Sequence, residues 1–176
     1  MKKELRKVKK YRFQLLHQWI VEHFEPCRVA DIGGGKGLLT LLLNQSGFQS
    51  VVIDPYNQAL PTKYKDLTKQ KFKISEEQSV SRIDAVFEKE MAKDFDLLIG
   101  LHAHGSNMKI IEAAAEYKKD FILMPCCVID EPITPQPNIN WFDSLEEYAN
   151  KLGLKTERFE LNFRGQNKGF YSRKLV

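Results

Sequence analysis

At 176 residues the chain is long enough to bury one hydrophobic core, and its 43% hydrophobic residues include no run of about 18 apolar positions that could cross a bilayer. Three cysteines, Cys27 and the vicinal Cys126 and Cys127, cannot build a disulfide framework, and the basic start lacks a secretory signal's apolar stretch, so a reducing, cytoplasmic setting is expected. The net charge of +4 is concentrated in residues 1–12, where Lys2, Lys3, Arg6, Lys7, Lys9, Lys10 and Arg12 face Glu4 alone; such an arm suits a polyanionic partner or is a solvated terminus.

In chain order, Tyr11 to Phe24 sets Phe13, Leu16, Trp19, Ile20 and Phe24 at helical spacing, and Pro26 ends that helix. Arg28 to Ile32 reads as a short buried strand, Leu38 to Asn44 as a helix closed by Ser46 and Gly47, and Gln49 to Asp54 as a second strand stopped by Pro55. Further strands are expected near Lys71 to Ile74, Phe95 to Leu101, Phe121 to Pro125, Leu154 to Phe163 and Gly169 to Leu175. Helices are expected over Val80 to Lys89, Asn107 to Lys118 and Phe142 to Lys151. Alternation of strand and helix implies a parallel sheet covered on both faces, and the last two strands, around "RGQNKG", add an antiparallel edge. Residues 1–26 are read as a basic helical extension and 27–176 as the domain proper.

The stretch "VADIGGGKGLLTLLL", Val29 to Leu43, is a strand ending in a carboxylate, then a glycine turn, then a helix. Bare backbone at Gly33, Gly34, Gly35 and Gly37 lets a ligand lie against the chain with no Cβ in the way. A dinucleotide fingerprint would need Gly or Ala where Leu38 stands, so that cofactor class is excluded. The acidic-x-Gly-x-Gly pattern, together with seven strands in this order, resembles the class I S-adenosylmethionine (SAM) methyltransferases. That resemblance implies a Rossmann-like α/β fold with a seven-stranded, mostly parallel sheet, an antiparallel C-terminal edge strand and helices on both faces. It further implies SAM as cofactor, held by the glycine turn with Pro55 and Leu101; Asp31 would face the amino-acid end, and Asp54 would accept from the ribose hydroxyls. Read as a structural residue, Asp54 is a strand-end turn before Pro55.

Two later strand ends, "LIGLHAHGSN" (Leu98 to Asn107) and "LMPCCVIDE" (Leu123 to Glu131), are expected to bring His102, His104, Cys126 and Cys127 together near the methyl donor. The pairing of Leu-His-x-x-Gly with Cys-Cys is similar to the family that includes the acceptor-stem tRNA 2′-O-methyltransferases. Its members commonly carry Cys where this chain has His104. As a neutral imidazole, His102 is the candidate general base for a 2′-hydroxyl, with a satisfied strand-end histidine as the plainer reading. The cysteines are read as small packed thiols beside the cofactor; a covalent role needs the nucleophile one strand earlier, and no metal is expected because the usual CxxC spacing is missing.

Nothing resembling "NPPY" follows the fourth strand, against amino methylation of adenine, and no Lys-Asp-Lys-Glu tetrad is assignable around Lys36. The expectation is methyl transfer to RNA, tRNA foremost, with the basic arm on phosphates and no membrane association. Phe13 and Trp19 are read as core and not as base-stacking platforms. The alternatives are a small-molecule or protein acceptor beneath the Pro-rich loop Glu131 to Asn140, and a SAM-binding protein without catalysis.

Overall fold

The computed structural model describes residues 9–128, 130–135 and 137–174. Expectations for Lys2, Lys3, Arg6, Lys7 and Leu175 lie outside the described residues, as does the side chain of Lys9.

After a short 3-10 turn at Lys9–Tyr11, α1 runs Arg12–His23 and leads into β1 (Arg28–Ile32). Then come α2 (Leu38–Gln45), β2 (Gln49–Ile53), β3 (Lys63–Lys65), β4 (Lys71–Lys73) and β5 (Arg82–Ile83). A 3-10 stretch at Lys89–Asp94 precedes β6 (Leu97–Leu101), followed by α3 (Asn107–Tyr117), β7 (Asp120–Met124), α4 (Trp141–Lys151), β8 (Glu157–Glu160) and β9 (Lys168–Ser172). Seven strands form one sheet in the order β5-β2-β1-β6-β7-β9-β8, parallel from β5 to β7, with antiparallel pairing where the C-terminal hairpin joins β7.

Side chains alternate across the strands, so adjacent residues feed opposite layers. Val29, Leu97, Ile99 and Ile122 pack against Leu16 and Ile20 of α1 and Leu39 and Leu43 of α2. Ala30, Leu98, Phe121 and Leu123 pack against Ile110, Ile111 and Ala114 of α3 and Leu145 of α4. Helices therefore cover both faces, and each fully buried Leu or Ile contributes about 2 kcal/mol. Helix α1 is part of this core: Leu16 and Ile20 are wholly buried, and the Trp19 ring stacks on Phe159 of β8 at 4.1 Å. The core reading of Trp19 thus holds.

Two expectations differ. Val80 to Lys89 is no helix: β5 extends along β2, where the Val52 and Asp54 amides donate to the Ser81 and Ile83 carbonyls, and pairing outweighs helical spacing in so short a segment. The strand at Lys71 to Ile74 exists as β4, but it pairs with β3 in a separate hairpin outside the main sheet. The fold now places the site. The chain reverses direction across the sheet between β1 and β6, and ligands of open α/β sheets bind at the strands' carboxyl ends beside such a reversal. The glycine turn and His102 stand there.

Candidate active site

A cavity of about 640 Å³ opens at this reversal. Its floor is Gly33 to Leu38, one wall is Leu101 and His102, and its rim is Lys10 to Gln14 from the start of α1 with Lys63, Tyr64, Lys65 and Lys71 from the β3–β4 hairpin. No described helix is long and apolar enough to cross a membrane.

The floor is tightly tied. Gly35 holds φ of +54°, a left-handed conformation that side chains resist, and a Cβ there would project toward open space, meeting only the Gln58 amide at 3.8 Å. At Gly37, with φ of +82°, a Cβ would strike Val80 at 2.9 Å. Arg82 clamps the turn from β5, donating from one guanidinium nitrogen to the Gly35 carbonyl at 2.8 Å and from the other to the Tyr56 carbonyl at 2.9 Å. Asp54 braces it from below, accepting from the Gly35 amide at 3.0 Å and the Tyr56 amide at 2.8 Å. Each carboxylate oxygen keeps acceptor capacity after one such bond, so a ribose diol remains within its chemistry.

Asp31 sits elsewhere than expected. It is 2% exposed, lies beneath Gly34 and accepts from the Thr40 hydroxyl at 2.9 Å, with Ser50 next in the chain at 3.0 Å. It therefore supports the turn from inside the domain and does not line the cavity; nor do Asp54 and Pro55. Burial pushes the Asp31 carboxyl up to about 6, against the lowering effect of Thr40. Gly33, Gly34, Gly35, Gly37 and Leu101 do line it.

At the chemical end the four expected residues separate into a single histidine and a cluster. His102 has a left-handed backbone, φ of +56°, and its Nε2 lies 2.9 Å from the Gln166 carbonyl in the β8–β9 loop. A carbonyl only accepts, so Nε2 carries the proton and the neutral ring's lone pair is on Nδ1. Asn167, nearly buried, fixes that loop by donating to the Leu161 carbonyl at 2.7 Å and to Glu160 at 3.1 Å. His104 turns to the cysteines: its Nε2 is 2.9 Å from Cys126 Sγ and 3.4 Å from Cys127 Sγ, and the two sulfurs are 3.5 Å apart. None of the cysteines forms a disulfide. Cys27 lies apart from this site, and burial, then Asp96 and Asp120, push its thiol up to about 11.

Strand β3, and with it the pairing of β4 into a hairpin, was missed by sequence reasoning, as was Arg82. The hairpin's signal was present in "KYKDLTKQKFK", where Lys and aromatic residues alternate on either side of a turn. Its turn is organised by Asp66, which accepts from Thr68 and Gln70 amides at 2.9 Å each. Tyr64 and Phe72 stack on one face at 5.3 Å, leaving Lys63, Lys65, Lys71 and Lys73 on the other, in like-charge pairs directly across the strands.

The bare turn at Gly35, open to the cavity, fits SAM, and Gly33 to Gly37 would carry its backbone-facing side. Comparison with known proteins agrees. A family model described as a methyltransferase domain matches residues 3–130. A probable tRNA (uracil-O(2)-)-methyltransferase of Caenorhabditis elegans is 33% identical over 104 residues, 58% of this chain but 18% of that protein, so the chain spans less than a fifth of that relative. Among solved structures, a SAM-dependent methyltransferase of Agrobacterium tumefaciens superposes with a TM-score of 0.55 at 10% identity, over 94% of this chain and 62% of the other. A ribosomal protein L11 methylase of Lactobacillus delbrueckii subsp. bulgaricus gives 0.51 at 15% identity, over 91% and 77%. These distant structures share the fold. The family match covers most of the chain, and with the glycine turn at the sheet's reversal it makes this chain a member of the methyltransferase-domain family, with the fold of a SAM-dependent methyltransferase.

Proposed function

We propose that the chain transfers the methyl group of SAM to RNA, with tRNA as the leading acceptor. The observation that carries the acceptor is the cavity's rim. Lys10, Arg12, Lys36, Lys63, Lys65 and Lys71 line it, and among the described residues no carboxylate does. Among the described residues, Lys63, Lys65, Lys71 and Lys73 form no ion pair, so their mutual repulsion is an uncompensated cost that bound phosphates would remove. The name of the nematode relative supports the same acceptor class.

SAM supplies an electrophilic methyl on a sulfonium that leaves as a neutral thioether. The chain's own groups then have three tasks. The glycine turn, clamped by Arg82 and Asp54, orients the donor without having to rearrange, which is where positioning lowers a barrier. The hairpin and the start of α1 grip phosphates on either side of the acceptor nucleotide. His102 takes the acceptor hydroxyl's proton on Nδ1 while Gln166 holds its Nε2 proton, so the ring neither flips nor changes tautomer. A hydroxyl acceptor of this kind is the 2′-oxygen of a ribose.

The test is methylation of bulk tRNA with methyl-labelled SAM, alongside binding of the same tRNA at low and high salt. Label in nuclease-sensitive material, with binding that weakens as salt rises, supports the reading. Transfer only to small acceptors or protein, without tRNA binding, defeats the acceptor assignment and leaves the donor site standing.

A further inference from the structure

The His104, Cys126 and Cys127 cluster is not used by the reaction above. Its three ligand atoms lie within 4.8 Å of one another, joining the end of β6 to the end of β7. We propose that His104, Cys126 and Cys127 form a metal site for a thiophilic divalent cation, zinc foremost, with the fourth coordination position open to water.

The argument begins with shape. A tetrahedral zinc with sulfur at ~2.3 Å and nitrogen at ~2.0–2.1 Å sets N···S edges near ~3.5 Å and the S···S edge near ~3.8 Å. The triangle here has edges of 2.9, 3.4 and 3.5 Å, so a small spreading admits an ion against its face. Adjacent cysteines are a poor ligand pair in a strand, where neighbouring side chains point to opposite faces. Here β7 has ended at Met124, and the irregular backbone of Cys126 and Cys127 turns both sulfurs to one side.

The two ligand-bearing loops are also locked together before any ion arrives. Glu131, four residues past Cys127, accepts from the Asn107 amide and side chain at 2.7 Å each and from the Met108 amide at 3.3 Å. That bond set ties the cysteine loop to the first turn of α3, three residues beyond His104. Gly105 closes the same junction; a Cβ there would touch Asp130 at 3.0 Å. Such outer contacts fix ligand direction in metal sites. Charge also balances: two thiols lose their protons, a neutral imidazole adds none, and the loaded site is electrically neutral, needing no counter-ion. His102 does not belong to this group: among the described residues the ligand atoms that converge are those of His104, Cys126 and Cys127. Two cysteines, one histidine and an open position is a donor set that zinc accepts.

The proposal is independent of methyl transfer and is tested without it. Purified without chelator and passed through gel filtration, the full chain should retain about one zinc per molecule by elemental analysis. His104→Ala and Cys127→Ser should each fall below about a tenth of that, while Cys27→Ser, at the other end of the sheet, stays at the wild-type level. Titrating metal-stripped wild-type protein with cobalt(II) adds a readout that misfolded variants cannot confuse: one equivalent should give the thiolate-to-cobalt absorption and the strong visible bands of tetrahedral coordination. Metal-free protein that gives no such cobalt spectrum overturns the site. So does metal that persists in the triple variant H104A/C126S/C127S.

Discussion

The floor and the rim of the cavity are built on opposite principles. In the floor the turn is braced by paired groups: Asp54 and Arg82 hold Gly35 from two sides, with Arg82 Nε near Asp84 at 3.5 Å but without a hydrogen bond, and Asp31, Thr40 and Ser50 close a chain beneath it. In the rim, lysines face lysines across the β3–β4 hairpin, and among the described residues no ion pair offsets them. A braced floor suits a compact ligand recognised by shape and hydrogen bonds. A rim of like charge suits a polyanion that brings the missing partners.

Four variants separate these halves, in descending order of effect. His102→Ala should lower kcat by about 10²–10⁴, the usual contribution of a positioned base, with SAM affinity unchanged and the rise of rate with pH flattened. Unaltered turnover would remove His102 from the reaction. Gly35→Val acts on the floor alone: its Cβ projects toward the cavity from a strained backbone, so calorimetric SAM affinity should drop by about 100-fold while a cooperative melt survives. Normal affinity in that variant would break the assignment of the turn.

Asp31→Asn probes the layer below. A carboxyl whose native value is raised to about 6 costs stability that grows as pH climbs from about 4 to 6 and is absent below that window. The Asn variant should therefore gain on wild type across that window, by at most about 3 kcal/mol, read by denaturant melts at several pH values. A constant difference between the two at all pH values would refute the burial argument. The rim variant, Lys65→Glu with Lys71→Glu, should weaken tRNA binding by about 10-fold and reduce the salt slope by roughly two, leaving SAM affinity intact. Equal loss of both ligands would mean that floor and rim are one site and not two.

Much of the floor was legible in the sequence because it is local. Asp31 to Gly37 announces a turn by glycine spacing alone, and β1, α2 and β2 follow within a few residues of expectation. The side-chain directions were not legible. Asp31 turns inward because Thr40, in the first turn of α2, offers it a hydroxyl, and that bond exists only once α2 has packed. Val80 to Lys89 misled because Val80, Ile83 and Phe87 fall at helical spacing although Phe87 is buried from an irregular segment. Strand β3 escaped because it is three residues long, below the length at which alternation is persuasive, and without it β4 had no visible partner. The split of His102 from His104 depends on a carbonyl 64 residues away, which no local pattern contains.

If His102 is the base proposed above, its left-handed backbone sets a conflict between durability and activity. A side chain at φ of +56° costs about 1 kcal/mol that glycine would not incur, since it visits that region freely. His102→Gly should therefore melt at a slightly higher temperature than His102→Ala, and both should show the same lowered kcat. Selection of this chain for heat resistance alone, with no demand on turnover, would be drawn to glycine at position 102 early and would trade the base for a relaxed strand end.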